Sequence, residues 1–308
     1  MRFAFTDEQL AFRDAVRGML DDLCPPGVVR AAWESDTGRT EKLWRLLDEM
    51  GAFDVEEVEL ALVLTETGRA ALPEPVLEHA AIGVPALREA GVDVPPGGVV
   101  SVGMAEAPLV PYADSADVLV IERDGRLYAV DPNAATLEPR ASVDGSRRLF
   151  DVTWEGGTPL DADRHLAFDR GALGAAAELV GLGERMLDMA VAYAQQREQF
   201  GVKIGTFQAV QHHLADVRIA LEFARPTVTW ASWQLAHRAE DRSTFVSLAK
   251  ARASDAAALA SRAALQVHGA IGYTTEHDLH LWMKRAWALA ASWGDSAFHR
   301  ARIAQAIL

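Results

Sequence analysis

The chain has 308 residues, 50% hydrophobic and 24% charged, which suits two or three domains and a sizeable core. Its net charge of -14 argues against non-specific binding to nucleic acid or to an anionic membrane. No apolar run is long enough to span a bilayer, the N-terminus carries acids where a signal peptide needs a basic start, and the single Cys24 cannot form an internal disulfide, so a cytoplasmic protein is expected.

In chain order, Thr6-Asp7-Glu8-Gln9 reads as a helix start, with Thr6 as cap and Gln9 in the capping-box position. Leu10, Val16, Leu20 and Leu23 give a partial apolar stripe that Pro25-Pro26 ends. Cys24 at that helix end reads as packing rather than nucleophile, because no His lies near it in sequence. Further helices are expected over Glu41–Met50 and Val55–Arg69, and a short one runs from beyond Pro75 to about Ala90. The stretch GVDVPPGG reads as a linker. Short β-like runs follow at Val99–Met104, Val118–Glu122, Leu127–Val130 and Leu149–Trp154, separated by turn signals such as Asp124-Gly125 and Gly156-Gly157. They predict a small antiparallel unit ending near Asp163. From Phe168 the pattern is helical again, with elements over Ala175–Gln196, Thr206 to about Arg238, Thr244–His268, Glu276–Ala291 and Ser296–Ile307. The domain reading is 1–97, 98–164 and 165–308: helical, reduced β, helical bundle.

Two pieces carry the chemistry. In REQFG, Arg197 stands at a helix end, Gly201 breaks the helix, and Thr206 is a candidate N-cap for the next one. In QVHGAIGYTTEHDLH, Gly269 and Gly272 bare the backbone, and Thr274 or Thr275 can cap the helix that follows. A guanidinium, the amide of Gln208 and glycine backbone together suit a phosphate-bearing ligand. His212-His213 and His277/His280 invite a metal reading, but no carboxylate–His pairs recur on facing helices as a di-iron bundle needs. Glu184 and Asp188 read as a solvated face.

The order REQFG, IGTFQAVQHHLAD, QVHGAIGYTTEHDLH resembles the C-terminal helical domain of flavin-dependent acyl-CoA dehydrogenases from Gly171 onward, and FTDEQLAFRDAVRGML resembles the start of that family's N-terminal domain. The resemblance implies a mainly α fold: an N-terminal helical domain, a middle antiparallel β domain and a C-terminal four-helix bundle. It implies an FAD shared between subunits. Arg197 would reach the pyrophosphate of a flavin held mainly by the neighbour, followed by Gln199 and Phe200. Adenosine contacts would fall on Phe207 and Gln208. The family's QxxGG stretch would fall on Gln266, Val267, His268, Gly269 and Ala270, with Ala270 departing from Gly.

The resemblance also shows gaps. The family's TEPxxGSD-like segment, which wraps the flavin ring and thioester, corresponds to SVGMAEAPLVPYADSADVLV, where Glu106 is a poor remnant. MGAFDVEEVEL runs past a Gly-rich insertion of the family. The family's catalytic Glu occupies one of two positions, and here these hold Trp293 or Gly294 in AASWGDSAFHR and Gly171 in AFDRGALG. Asp295 is the nearest carboxylate to the first and reads as an N-cap; Asp169 reads as a helix-start acid. The pattern resembles the short subunits of actinobacterial α2β2 enzymes that act on bulky, steroid-like acyl-CoAs. It implies a partner, a longer catalytic acyl-CoA dehydrogenase subunit that supplies the Glu. The alternatives are a self-sufficient dehydrogenase with Asp295 as base, and a cofactor-free scaffold.

Overall fold

The computed structural model describes residues 4–308. Helix α1 (Asp7–Leu23) starts on a full capping box, in which Gln9 N–H donates to Thr6 Oγ1 and Thr6 N–H to Gln9 Oε1. Pro25-Pro26 does more than end it. Pro26, pre-set for a first helical position, opens α2 (Pro26–Glu34), which the apolar pattern alone does not reveal. Helices α3 (Glu41–Glu49) and α4 (Glu57–Ala70) follow. A π-helical segment, Leu77–Gly83, runs into α5 (Val84–Glu89) in place of one short α-helix. Cys24 is buried and its thiol is pushed up to about 12 by burial, as packing requires.

The middle of the chain holds strands β1 (Val100–Gly103), β2 (Val110–Pro111), β3 (Val118–Arg123), β4 (Arg126–Val130), β5 (Ala135–Arg140), β6 (Leu149–Trp154) and β7 (Thr158–Pro159). They form two small sheets, ordered β1-β3-β4-β7 and β2-β6-β5. Pairing is antiparallel except between β1 and β3, where Val100 faces Val118 in parallel register. The exception arises because the chain leaves β1, pairs β2 in the other sheet, and returns. Strand β5 lacked a sequence signal because ATLEPR is mostly exposed and holds Pro139, which suits an edge strand. Between the sheets, Leu119, Ile121, Val130, Phe150 and Trp154 make a small core of their own.

Helix α6 (Arg164–Gln196) is 33 residues long and starts earlier than its Ala-rich pattern suggests. The Asp163 side chain accepts from His165 N–H and Leu166 N–H, fixing the start. A tiny hairpin, β8 (Glu198–Gln199) and β9 (Val202–Lys203), leads to α7 (Gln208–Ala236), α8 (Arg242–His268), α9 (Leu279–Ala291) and α10 (Ser296–Ile307). Thr206 does not cap α7: its hydroxyl donates to Lys203 O at 2.7 Å, closing the preceding 3-10 turn, and Phe207 takes the cap position. Nor do Thr274 or Thr275 cap α9, which begins later; Leu279 N–H donates instead to His277 Nδ1 at 3.2 Å.

The closest packing between the N-terminal helices and the bundle is a glycine seam. Helices α4 and α6 cross where glycines face backbone: a Cβ on Gly181 would lie 1.9 Å from Thr65 O, and one on Gly68 2.2 Å from Glu178 O. Thr67 Oγ1 donates to the buried Glu178 at 3.2 Å, and burial pushes that carboxyl up to about 7. Two acids change role on this scaffold. Glu184 is not a solvated face: with Arg225 it makes a short ion pair joining α6 to α7, whereas Asp188 stays exposed as expected, pairing Arg69 of α4 at 2.6 Å. Asp169 is fully buried inside α6, pairing Arg302 of α10 at 2.7 Å and accepting from Ser243 of α8 at 2.5 Å.

Candidate functional site

The two sequence pieces meet at one end of the bundle. Arg197 is the C-cap of α6, in extended conformation just past the last turn. Its side chain is exposed and has no partner among the described residues. Gln199 lies in β8, and the hairpin turns on Phe200 and Gly201, at φ +53° and +78°. Both positions of such a two-residue turn need positive φ, which costs a bulky residue roughly 1–2 kcal/mol. Phe200 meets that cost while 93% exposed, so the protein's own core does not use its ring. Phe207 lies edge-on to Phe200 at 6.2 Å, and Gln208 begins α7, exposed.

On the facing side, α8 ends at His268. Gln266 is exposed, Val267 and His268 are buried, and Ala270 is exposed. Gly269 sits at φ +62°, ψ -139°, a conformation essentially reserved for glycine, although a Cβ there would meet nothing. Backbone conformation, not space, therefore selects it. Ala270 has no positive φ, so its methyl is tolerated where the family has Gly. This donor set fits a diphosphate: an unpartnered guanidinium, exposed amides, and bent backbone free of a side chain. The His268 ring stacks on Tyr193, while His277 is tilted against His268 and edge-on to Tyr193. His212 and His213 are exposed on α7, and the described residues hold no group of three or more metal-ligating side chains.

The two positions where the resemblance places a catalytic carboxylate lie against each other. The Trp293 ring packs directly on Gly171, so that a Cβ on Gly171 would stand 2.5 Å from Trp293 Cε3. Trp293 is 1% exposed and holds φ +58°. Its loop is clamped: His299 Nε2–H donates to Trp293 O at 2.8 Å, and Lys250 Nζ donates to Gly294 O at 2.8 Å and Ala290 O at 3.2 Å. Lys250 is fully buried, and burial lowers its ammonium to about 7. Asp295 is exposed, and its carboxylate accepts from Phe298 N–H at 2.8 Å as the N-cap of α10.

Beside Trp293 lies a cleft of about 320 Å³, walled by Val102, Pro108, Leu149 and Ala288, with Glu78 and Arg147 at its floor. Charged groups fill the space behind it. Arg147 pairs Glu78 at 3.0 Å, and Arg39 pairs Glu74 at 2.8 Å, where Thr40 N–H also donates to Glu74. Arg285 of α9, wholly buried, donates to Leu72 O at 2.9 Å, to Asp144 and to Ser146. Glu106, in the turn before β2, shares Arg164 with Glu122. Sequence reasoning missed this network. A signal existed: Arg285 stands among Leu281, Trp282 and Leu289, on the apolar stripe of its helix rather than opposite it.

Comparison with known proteins identifies the family. Residues 163–308 match the family model "Acyl-CoA dehydrogenase, C-terminal domain". The chain is 34% identical to acyl-CoA dehydrogenase IpdE2 of Mycobacterium tuberculosis, over 91% of this chain and 91% of the relative. In fold it is similar to the ChsE4-ChsE5 complex from Mycobacterium tuberculosis, with TM-score 0.87, 22% identity, and 99% and 98% of the two chains covered. It is equally similar to the Tcur3481-Tcur3483 steroid ACAD, with TM-score 0.87, 22% identity and 98% of each chain covered. Identity at that level shows the fold alone. Together with the long match to IpdE2, the findings establish that this chain belongs to the acyl-CoA dehydrogenase family.

Proposed function

We propose that this chain is the non-catalytic subunit of a heteromeric FAD-dependent acyl-CoA dehydrogenase. It clasps the diphosphate and adenosine of an FAD whose ring a longer, catalytic partner holds. One contrast supports the reading: the Arg197 and Gln266 side chains are exposed without a partner among the described residues and Gly269 leaves its backbone bare of a side chain, whereas Trp293 packs on Gly171 at the two positions where the resemblance leads one to expect a catalytic carboxylate. Arg197 would donate to the diphosphate with its planar fork, Gly269 would admit it against bare backbone, and Phe200 and Phe207 would cover the adenosine. When bound, FAD supplies the hydride acceptor for α,β-dehydrogenation. The α-proton would go to a Glu of the partner. Fold relatives that are complexes, one of them a steroid ACAD, favour a two-chain α2β2 assembly and a bulky acyl-CoA. The domain division 1–97, 98–164 and 165–308 and a cytoplasmic location belong to the same proposal; among the described residues no helix is long and apolar enough to cross a membrane.

The test is co-expression with a longer acyl-CoA dehydrogenase chain that carries a TEPxxGSD-like segment and a Glu at a base position. The expected product is a yellow complex with FAD in half the subunits, while this chain alone is colourless. Stoichiometric flavin in the isolated chain, with turnover of an acyl-CoA lost in Asp295→Asn, would overturn the proposal in favour of a self-sufficient enzyme. Arg197→Ala should lower flavin content of the complex; unchanged content counts against the clasp.

A further inference from the structure

The two halves of the clasp stand on different helices, and one stack of rings joins them. Tyr193 lies one helical turn before Arg197 on α6. Its ring stacks on that of His268, the last residue of α8, with 4.5 Å between centroids and 28° between planes. The His268 ring lies 4.4 Å from that of His277, which also meets Tyr193 edge-on at 6.3 Å. Three segments thus each contribute one ring: α6, α8 and the loop that enters α9.

The hydrogen bonds fix where the protons sit. His268 Nδ1–H donates to Ala264 O at 2.8 Å, which leaves Nε2 as the bare acceptor; that atom is buried without a partner among the described residues. His277 Nδ1 accepts from Leu279 N–H, one of the open donors at the start of α9. A further proton on His277 would land on that acceptor, break the cap, and set a cation at the positive end of a helix. A further proton on His268 would be buried ring-to-ring against His277. Two other charges face the stack. Asp278 favours a proton on His277, and Arg30 of α2, paired with Asp278 at 2.7 Å, opposes it. Burial prevails, and both imidazoles are held below their ordinary range.

We propose that the Tyr193–His268–His277 stack, with both imidazoles neutral, is the positioning element of the clasp. It holds the α6 end bearing Arg197 and the α8 end bearing Gln266 and Gly269 at one separation, the separation a dinucleotide diphosphate needs. This rests on the function proposed above. The three residues act through Arg197 and Gly269 and need not touch the ligand.

The experiment measures FAD retention by the two-chain complex, from flavin absorbance and from fluorescence of FAD released on dilution, between pH 5 and 8. Wild-type retention should hold through the ordinary imidazole value of about 6.5 and fall only at lower pH, because burial lowers both rings. Tyr193→Leu should release FAD about tenfold more readily at pH 7.5, and Tyr193→Phe, which keeps the ring, should restore retention. His277→Asn keeps an acceptor for Leu279 N–H but loses the ring and cannot take a proton, so it should hold FAD less firmly than wild type at pH 7.5 and flatten the acid limb. If Tyr193→Leu fails to assemble, Tyr193→Phe and His277→Asn decide the matter between them. Wild-type acid sensitivity unchanged in both His277→Asn and His268→Gln, or Tyr193→Leu retaining FAD as wild type does, overturns the proposal. Arg197→Ala separates the two readings: if it keeps its flavin, the clasp itself is wrong; if it alone loses flavin, the clasp stands and the stack falls.

Discussion

The contact between Trp293 and Gly171 gives a prediction that can be worked from coordinates. Trp293 is 1% exposed, so Trp293→Ala removes a wholly buried ring and should cost about 3–5 kcal/mol. Gly171→Ala in the wild-type background sets a methyl 2.5 Å from Trp293 Cε3, and overpacking of that kind costs about 1–3 kcal/mol. In the Trp293→Ala background the same methyl enters the vacated space. There it should gain about 0.8–1 kcal/mol of helix propensity, because Gly171 lies inside α6. The double variant should therefore be more stable than Trp293→Ala alone, with a compensating coupling of about 2–4 kcal/mol. Urea unfolding of all four proteins, followed by circular dichroism at one protein concentration, measures it. A neutral Gly171→Ala with strictly additive costs would mean that the ring does not occupy the carboxylate position, and the contrast on which the functional reading depends would be lost.

Gly181→Ala should be the harshest of the small substitutions, because its methyl would meet backbone at 1.9 Å rather than a movable side chain; a soluble variant with wild-type midpoint would refute the α4–α6 crossing. Arg285→Met should cost about 3–5 kcal/mol by leaving Asp144 buried without its partner, and adding Asp144→Leu should recover part of that in the same unfolding assay. Asp295→Ala should cost about 1 kcal/mol as a lost N-cap and leave turnover by the complex unchanged; loss of turnover would favour the catalytic alternative. Acid should destabilise the chain through His299, which burial lowers to about 4. Between pH 6.5 and 4 the unfolded state binds the extra proton, so stability falls as pH falls, by about 3 kcal/mol in all; a flat profile in this window would contradict the buried ring.

The sequence was legible where local chemistry decides structure. The capping box at Thr6, the break at Gly269 and the cap at Asp295 all hold, because each is settled within four residues. It failed where the deciding partner is far along the chain. Thr206 is a good cap in isolation, yet Lys203 O takes its hydroxyl. Glu184 looks solvated until Arg225 folds across it, and Asp169 looks like a dipole acid until Ser243 and Arg302 enclose it. The candidate site divides the same way. The motif residues were readable one by one, whereas the ring contacts of Tyr193 with His268 and His277 carry no signal until α6, α8 and the loop before α9 are brought together, and His277 alone suggested only a metal ligand.

The glycine seam between α4 and α6 has a consequence for biosynthesis. Thr67 and Glu178, which meet there, are 111 residues apart. The early helices therefore leave the ribosome well before the surface they must grip exists, and such long-range closure is slow. An apolar face of α4 stays uncovered through synthesis of the whole sheet region, which makes the nascent chain a natural client for chaperones and favours translation close to whatever it will assemble with.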